Sequence, residues 1–367
     1  MRAALAVLSL LAADPVLAGP PAAPTRAGEV SSQRPPALRP PGIARAALWT
    51  TYRDRFVTSS GRVIDDANGF ISHSEGQGYA MLLAASFDDR ATFERIWTWT
   101  RRELCIRPDG LAAWRWRPSH EPHVDDLNNA TDGDLLIAWA LAEAGRRWND
   151  EGYTQAAQGM ARTIATTMTA QTVLGTVLLP GGAGFSAQDR PDGPVVNPSY
   201  WVFPAFDALR PLVPEVDWSG LRASGLALLR EARFGPLRLP TDWVSLRNTP
   251  ARPADGFPAE FSYNAIRIPL YLAWAEGVTA ASIAPFARLW SEEGDVGPFV
   301  IEVRTGSAQS TFGGRGFKTV AALARCVKEG RKIPAQLVEP APKDPYYPST
   351  LQLLAVVLAD ERYPSCV

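Results

Sequence analysis

Cysteine is scarce in this sequence, which limits what can hold the fold together. The 367 residues include three cysteines, Cys105, Cys326 and Cys366, an odd number that allows at most one intramolecular disulfide and leaves a thiol over. A disulfide framework therefore does not define the fold. A chain of this length can instead bury a substantial hydrophobic core, as one large domain or two ordinary ones.

The sequence also lacks an excess of charge and a long hydrophobic run. Its 37 Lys and Arg residues against 38 Asp and Glu residues give a formal net charge of -1, so nothing indicates nucleic acid or an anionic membrane as a partner. No segment after the N-terminus reaches the roughly 20 uninterrupted apolar residues that a membrane-spanning helix needs. We therefore expect a neutral partner and no membrane span.

The first 42 residues differ in composition from the rest. Residues 1–18, MRAALAVLSLLAADPVLA, combine a basic second residue, a short apolar stretch and the small residues Val16 and Ala18, which is typical of a secretory signal peptide. Residues 19–42 are rich in proline without apolar periodicity, which predicts an extended, poorly ordered leader. The sequence thus predicts an exported protein, secreted or periplasmic, with one folded domain over residues 43–367.

Helical patterns dominate this domain, and strand signals are few, chiefly residues 173–179 and 299–303. Gly and Pro clusters separate the predicted helices, which cover residues 43–56, 75–88, 91–104, 132–147, 153–169, 199–211, 219–231, 262–276, 281–293, 316–328 and 348–361.

The predicted helices fall into two populations. Residues 130–148, ATDGDLLIAWALAEAGRRW, are apolar on nearly every side and should be buried all round, as should residues 79–87. Residues 153–169 and 281–293 carry polar stripes and should lie outside them. Inner and outer helices predict an all-α fold of the α/α toroid type rather than a four-helix bundle.

The stretch SHSEGQGYAMLLAA, residues 72–85, places one carboxylate, Glu75, before a buried helix and allows two interpretations. Ser72 to Glu75 fits the S-x-x-E capping box, in which the glutamate has only a local role. The residues that follow, Gly76 to Tyr79, keep the backbone accessible and set hydrogen-bonding groups beside the carboxylate. That composition favours a ligand-binding surface.

A second pair of acids, Asp132 and Asp134, opens the buried helix 132–147. The helix dipole favours acids there, and Thr131 or Asp132 can cap the helix. In a toroid, however, the N-terminal ends of inner helices converge, so we expect Glu75 and Asp132 to share a cleft.

Two carboxyl groups across a cleft are what glycoside hydrolysis requires: one protonated acid for the departing oxygen and one charged partner. We expect Glu75 to carry the proton. This requires burial and the negative charge of Asp132 to outweigh the helix dipole.

Several motifs together resemble one known family. SEGQGYAMLLAA and ATDGDLLIAWALAEAGRRW are similar to the two signature segments of glycoside hydrolase family 8, and SGRVID, NPSYWVFPAF, LPTDWVSL and FSYNAIRIPLY follow in that family's order. The resemblance spans roughly residues 43–362, and the endo-β-1,4-glucanases that accompany bacterial cellulose synthesis are the most similar members. It implies an (α/α)6 barrel that hydrolyses internal β-1,4-glucosidic bonds of cellulose with inversion, without metal or cofactor. It also implies a β-1,4-glucan chain as partner, and an association with the cellulose synthesis and secretion complex.

The resemblance assigns roles to individual residues. Glu75 takes the position of the general acid, and Asp132 that of a carboxylate at the cleavage subsite. Substrate-binding positions that line the sugar cleft fall on Trp114, Tyr200, Tyr263 and Arg267. Their chemistry agrees, because aromatic rings stack on the apolar face of glucose and arginine donates to hydroxyl groups.

One catalytic position departs from the family pattern. The family's cellulases have aspartate there as the base that activates water, whereas this sequence has Asn264, and an amide cannot take up a proton. An acid from elsewhere, with Glu260, Asp242 and Asp132 as local candidates, would retain hydrolysis. The alternatives are a catalytically weakened glucan-binding paralogue, an Asp codon changed to Asn by mutation or sequencing error, and, with the fold kept, a different substrate: xylan, chitosan or mixed-linkage glucan.

Two weaker motifs point to no further chemistry. His120 and His123 in HEPH lie between prolines and lack the H-E-x-x-H spacing of a zinc hydrolase, so we expect no metal. The glycine-rich FGGRGF and PGGAGF lack the strand and lysine of a P-loop, which makes them turn or cleft-loop glycines rather than a phosphate site.

Overall fold

The computed structural model describes residues 43–291 and 298–367, so the predicted signal peptide and leader lie outside the described residues. The described part is mainly helical. Its α-helices are α1 Ile43–Phe56, α2 Ser74–Ser86, α3 Arg90–Glu103, α4 Thr131–Trp148, α5 Glu151–Thr167, α6 Phe203–Leu209, α7 Trp218–Glu231, α8 Ile268–Trp274, α9 Ala280–Ser291, α10 Arg315–Glu329 and α11 Tyr346–Arg362.

The sequence prediction of helices is confirmed for all but two segments, with ends that agree within two residues. The segments 199–211 and 262–276 are wrong as continuous helices. Each consists of a 3₁₀ turn, Pro198–Tyr200 or Ala265–Arg267, followed by a short helix, α6 or α8. Both short helices have a proline in their first turn, where the missing N–H costs nothing but an uninterrupted helix cannot continue through it.

Six helices form an inner ring, in which α2, α4, α6, α8, α10 and α11 each pack on the next and α11 returns to α2. Helices α1, α3, α5, α7 and α9 pack outside this ring. Every residue of α8 is buried, as is nearly all of α2, whereas the outer helix α5 buries only a stripe with helical spacing. The two predicted populations of helices are therefore confirmed, and the hydrophobic core lies between the two layers.

All strand pairs in the described residues are short and antiparallel. The strands are β1 Ser72–His73, β2 Arg115–Trp116, β3 Thr169–Thr172, β4 Gly175–Leu178, β5 Val195–Val196, β6 Val244–Ser245, β7 Arg252–Pro253, β8 Glu260–Phe261, β9 Phe299–Glu302 and β10 Ser307–Thr311. The two predicted strand segments correspond to β4 and β9. The other strands had no sequence signal, because most have two residues and cannot show alternation. One of these pairs, β1 with β2, sets the start of α2 beside Trp114.

A disulfide joins Cys326 in α10 to Cys366 near the C-terminus, and Cys105 remains a free thiol. The bond ties the last residues of the chain to an inner helix. None of the helices in the described ranges combines the length and the apolar character that crossing a bilayer requires.

Candidate active site

One cavity of about 360 Å³ collects all seven residues predicted from the sequence. They are Glu75, Trp114, Asp132, Tyr200, Tyr263, Asn264 and Arg267. The same cavity is also lined by Asp65, Asn68, Ile71, His73, Ser74, Ala130 and Tyr347.

The inner ring explains why residues so distant in sequence meet here. Glu75 and Asp132 are the second residues of α2 and α4, and Tyr347 is the second residue of α11. Tyr200 and Arg267 end the 3₁₀ turns that lead into α6 and α8. The cavity therefore lies where the N-terminal ends of five inner helices open on one face, as expected for the toroid.

The capping box predicted around Glu75 is wrong. Helix α2 begins at Ser74, and its cap residue is His73, whose Nδ1 accepts the Gly76 N–H at 2.9 Å. The Ser72 hydroxyl instead donates to the Val63 carbonyl at 2.5 Å. Glu75 has no capping role and reaches into the cavity.

The predicted side-chain cap of α4, by Thr131 or Asp132, is also wrong. The cap residue is Ala130, and the Thr131 hydroxyl donates to the Leu179 carbonyl at 2.7 Å. Within its own helix, Asp132 accepts the N–H of its neighbour Gly133 at 2.8 Å, a contact that does not cap the helix. Asp134 points away from the cavity and accepts the Ala112 N–H at 2.8 Å, which makes it a structural acid.

Arg267 is the centre of the site and is only 1% exposed. Its Nη1 donates both to Glu75 Oε2 and, at 3.0 Å, to Asp132 Oδ2. Its Nη2 donates to Ser199 Oγ at 2.8 Å and to Asn264 Oδ1 at 2.9 Å. A buried guanidinium needs this many acceptors. All four of these contacts are to protein groups, and the role that the resemblance gave Arg267, donation to sugar hydroxyls, stays a prediction.

The pKa of Asp132 differs from what its expected role as the charged partner of Glu75 suggests. Burial, together with the nearby Glu75 carboxyl, raises the pKa of Asp132 to about 7 against the opposing charge of Arg267. Retention of a proton near neutral pH is therefore a property of Asp132 in this arrangement. That Glu75 carries the proton during catalysis stays a prediction.

The Asn264 side chain forms hydrogen bonds through both its nitrogen and its oxygen. Its Nδ2 donates to Asp242 Oδ2 at 3.2 Å, while its Oδ1 accepts from Arg267. Asp242 also accepts the backbone N–H groups of Ser262 at 3.0 Å and Ala265 at 2.8 Å. Burial raises the pKa of Asp242 although these hydrogen bonds oppose the shift.

The three acids considered as replacement bases are placed differently. Asp242 is 8% exposed and, like Glu260, does not line the cavity. Asp132 does line the cavity. However, Asp132 and Glu75 each accept a hydrogen bond from the same nitrogen of Arg267, so their accepting oxygens lie within about 6 Å of each other. Inverting enzymes separate their carboxyl groups by about 6.5–9.5 Å to admit the water. Asp132 therefore lies closer to Glu75 than an inverting base does, neither Asp242 nor Glu260 lines the cavity, and the use of one of these acids as the base stays a prediction.

Aromatic rings form much of the remaining wall. The Trp114 indole N–H donates to Asp126 at 2.8 Å, and the Arg115 guanidinium lies 4.3 Å from the centre of its ring. Tyr263 is 50% exposed and is braced edge-on by Phe312 at 5.0 Å. Fixed rings beside carboxylates suit a sugar, which has apolar faces and polar edges.

Sequence reasoning missed five polar residues of the cavity, Asp65, Asn68, His73, Ser74 and Tyr347. The Tyr347 hydroxyl donates to the Tyr263 carbonyl at 2.7 Å, and His73 Nε2 faces Asp65 at 3.6 Å. Two signals in the sequence could have identified Asp65 and Tyr347: Asp65 is the last residue of the SGRVID motif, and Tyr347 lies at the start of an inner helix. His73 had no such signal, because histidine is not among the preferred cap residues.

The HEPH loop makes only local contacts. His123 Nδ1 lies 3.0 Å from the Arg117 carbonyl, and the His120 ring lies beside Ser119 Oγ at 3.1 Å. Within residues 43–291 and 298–367, no three His, Cys, Asp or Glu side chains are grouped to hold a metal ion.

Comparison with known proteins identifies the family. The sequence model of the family described as glycosyl hydrolases family 8 matches residues 41–362. A probable endoglucanase from Novacetimonas hansenii is 38% identical over 322 residues, which span 87% of this chain and 92% of that protein. An endo-β-1,4-glucanase from Acetobacter xylinum superposes with a TM-score of 0.78 at 37% identity, covering 87% of this chain and 98% of the other. An endoglucanase from Komagataeibacter sucrofermentans gives a TM-score of 0.79 at 37% identity, with 87% and 99% covered. The chain therefore belongs to glycosyl hydrolases family 8, and its rings of inner and outer helices are the (α/α)6 barrel of that family.

Proposed function

We propose that the protein is an endo-β-1,4-glucanase that hydrolyses internal bonds of cellulose with inversion. The observation that carries this proposal is the pair of carboxyl groups, Glu75 and Asp132, fixed on one buried arginine inside an aromatic-lined cavity. The similarity to proteins named endoglucanases over most of the chain supports the same activity.

In the proposed reaction, Glu75 donates a proton to the departing glycosidic oxygen while water attacks the opposite face of the sugar ring. Asp132 lies beside the cleaved bond, where its ionised form, which predominates above a pH of about 7, stabilises the positive charge that develops on the ring. Trp114 and Tyr263 offer ring faces to neighbouring glucose units. Arg267 is a positioning residue, because it touches the two carboxyl groups and fixes their geometry.

A second candidate function is favoured by one observation, the amide of Asn264 at the position of the base. A protein with this cleft and no base would bind β-1,4-glucan and hydrolyse it slowly. General-base assistance contributes about 10² to 10⁴ in rate, so the two candidates differ by an easily measured amount. Action on xylan, chitosan or mixed-linkage glucan is the remaining alternative.

The test compares the wild type with Glu75→Gln on soluble cellulose, with release of reducing sugar and binding of cello-oligosaccharides measured in parallel. We expect hydrolysis to fall about 10² to 10⁴-fold in the variant, while oligosaccharide binding is largely retained. Glu94→Gln, on the exposed face of α3, is the matched control and should behave as wild type.

Three outcomes would redirect the proposal. Unaltered hydrolysis in Glu75→Gln would remove Glu75 from the role of acid. Wild type that binds cello-oligosaccharides but releases no sugar would favour the glucan-binding function. Faster release from xylan, chitosan or mixed-linkage glucan, assayed side by side, would change the substrate.

We also propose that the protein is exported, to the periplasm or outside the cell. The Cys326–Cys366 disulfide supports this, because such bonds persist in oxidising compartments. Cell fractionation and N-terminal sequencing of the mature protein test it, and a protein that keeps residues 1–18 in the cytoplasm would contradict it. Association with a cellulose synthesis and secretion complex rests on the sequence resemblance alone. Co-purification with the synthase would support it.

A further inference from the structure

A second cavity of about 250 Å³ lies on the outer layer, between α7, α9 and the loop 233–240. It shares no lining residue with the candidate active site. Apolar side chains form most of its wall: Leu226, Leu229, Pro240, Leu272, Pro285 and Phe286. Three arginines, Arg230, Arg233 and Arg238, provide the charge.

Within residues 43–291 and 298–367, these three arginines have no acidic partner, unlike many other arginines of the same ranges. Arg222 on the same helix α7, for example, pairs with Asp207 at 2.8 Å. Among the residues that the structure describes, no acidic side chain lies within ion-pair distance of Arg230, Arg233 or Arg238, and Arg233 donates only to the Leu229 carbonyl at 3.2 Å. Burial and the nearby charges of Arg238, Arg288 and Arg230 lower the pKa of Arg233. An anion in the cavity would relieve this mutual repulsion.

The position of Arg238 is held by a strained backbone. Its φ angle is +53°, in the left-handed region that residues with a side chain rarely adopt. The surrounding turn fixes it there, because the Phe234 N–H donates to the Leu239 carbonyl at 2.9 Å. Such strain is unfavourable and persists where the surrounding structure imposes it, often at ligand sites.

We propose that this cavity binds a small amphiphilic carboxylate, with an ionised carboxyl group on the arginines and a hydrocarbon body against the apolar wall. Arginine recognises carboxylates through paired, charge-assisted hydrogen bonds. The wall contributes through burial of the hydrocarbon. The volume lies below the roughly 300 Å³ at which pockets for drug-sized ligands begin, which limits the ligand to a single ring or a chain of about eight carbons.

The experiment titrates sodium octanoate into the full chain by calorimetry at low ionic strength, with octanol and inorganic phosphate as comparison ligands. Octanol has the apolar body without the charge, and phosphate has the charge without the body. We expect octanoate to bind about tenfold or more tightly than either, because each half of the ligand contributes at least that factor. Salt should weaken octanoate binding but not octanol binding.

Two variants locate the site. Arg233→Gln removes the half-buried charge, and Arg238→Gly removes an exposed charge while relieving the backbone strain. Each should weaken octanoate binding about tenfold or more. Arg238→Gly should also melt no lower than wild type, which separates loss of binding from loss of fold. Arg331→Gln, at an exposed position outside the cavity lining, is the matched control and should bind as wild type does.

Four results would overturn the proposal. If octanol binds as tightly as octanoate, the arginines do not contribute and the cavity is only apolar. If phosphate binds as tightly as octanoate, the apolar wall does not contribute and the site binds anions only. Octanoate binding that survives both arginine variants would place the site elsewhere. Binding to anionic phospholipid vesicles without binding to octanoate would make this face a membrane contact instead.

Discussion

Replacing Asn264 with aspartate restores a carboxylate at the position of the family's base, and the structure determines how that carboxylate would behave. Oδ1 of Asn264 accepts from Arg267 at 2.9 Å, and Nδ2 donates to Asp242 Oδ2 at 3.2 Å. In Asn264→Asp, the second contact would join two carboxylate oxygens with no hydrogen between them. Two carboxylates this close cannot both ionise without a penalty, so the pair would hold one proton to a pH above the ordinary aspartate range.

This arrangement gives the expected gain a magnitude and a pH dependence. A general base contributes about 10² to 10⁴ in rate, or roughly 3–5 kcal/mol of barrier. A base acts only in its ionised form, and the shared proton raises the pKa at which that form appears. The gain in kcat should therefore be full at high pH and be lost as the pH falls through the apparent pKa of the pair.

The assay is release of reducing ends from soluble cellulose between about pH 5 and 9, with four proteins. Asn264→Asp should exceed wild type at the alkaline end, and Asn264→Ala should show no gain. In the double variant Asn264→Asp with Asp242→Asn, the amide at position 242 can donate to the new carboxylate, so the acidic limb should move to lower pH. Rates for Asn264→Asp equal to or below those of wild type at every pH would refute the reasoning and mean that another group activates the water.

Three further predictions concern stability. Arg267→Leu leaves the buried Asp132 and the half-buried Glu75 without their cation and should lower the free energy of unfolding by about 3–5 kcal/mol in urea titrations. A loss below about 1 kcal/mol would show that the two carboxyl groups do not need this cation. Folding raises the pKa of Asp132 from the ordinary 3.8 to about 7, so the unfolded chain loses this proton first and stability falls as pH rises between those values. Asp132→Asn should reduce that fall, and parallel urea titrations at both ends of the range check it; an unchanged slope would contradict the shift. Cys366→Ser opens a disulfide between residues separated by 40 positions and should cost about 4 kcal/mol by the loop-entropy relation. Wild type in reducing agent should then match the variant, and a wild type that is insensitive to reductant would contradict this.

The fold was predictable because its signals are local and repeated. Burial all round marks α2 and α4 in the sequence, and a stripe with helical spacing marks the outer helix α5. The segments around α6 and α8 were predicted as too long, because a helical pattern does not reveal where a proline restarts the backbone. The cap of α2 was misassigned because cap preferences rank residue types, whereas His73 acts through one ring nitrogen at a suitable distance.

The composition of the cavity was also predictable, since the predicted residues other than Trp114 lie at or near the start of an inner helix and the ring brings those starts together. The pairing inside the cavity was not. Arg267 and Glu75 are 192 positions apart, and nothing local to either shows that the guanidinium has all its donors satisfied by protein groups. The same limit applies to Asp242, whose contact with Asn264 depends on the return of the chain at β8, where the Asp242 N–H donates to the Glu260 carbonyl at 2.8 Å, rather than on a sequence pattern.

At position 264, stability and general-base catalysis require opposite residues. Asn264 is matched to both neighbours, because its N–H group satisfies the buried Asp242 and its oxygen accepts from Arg267. An aspartate keeps the second contact and loses the first, which leaves the buried Asp242 facing a like charge at the wall of the cavity. Asn264→Asp should therefore be less stable than wild type as well as faster, and its loss of stability should grow as pH rises and the shared proton leaves. Asn264→Asp would thus exchange stability for rate, a trade-off common where function requires unfavourable charge.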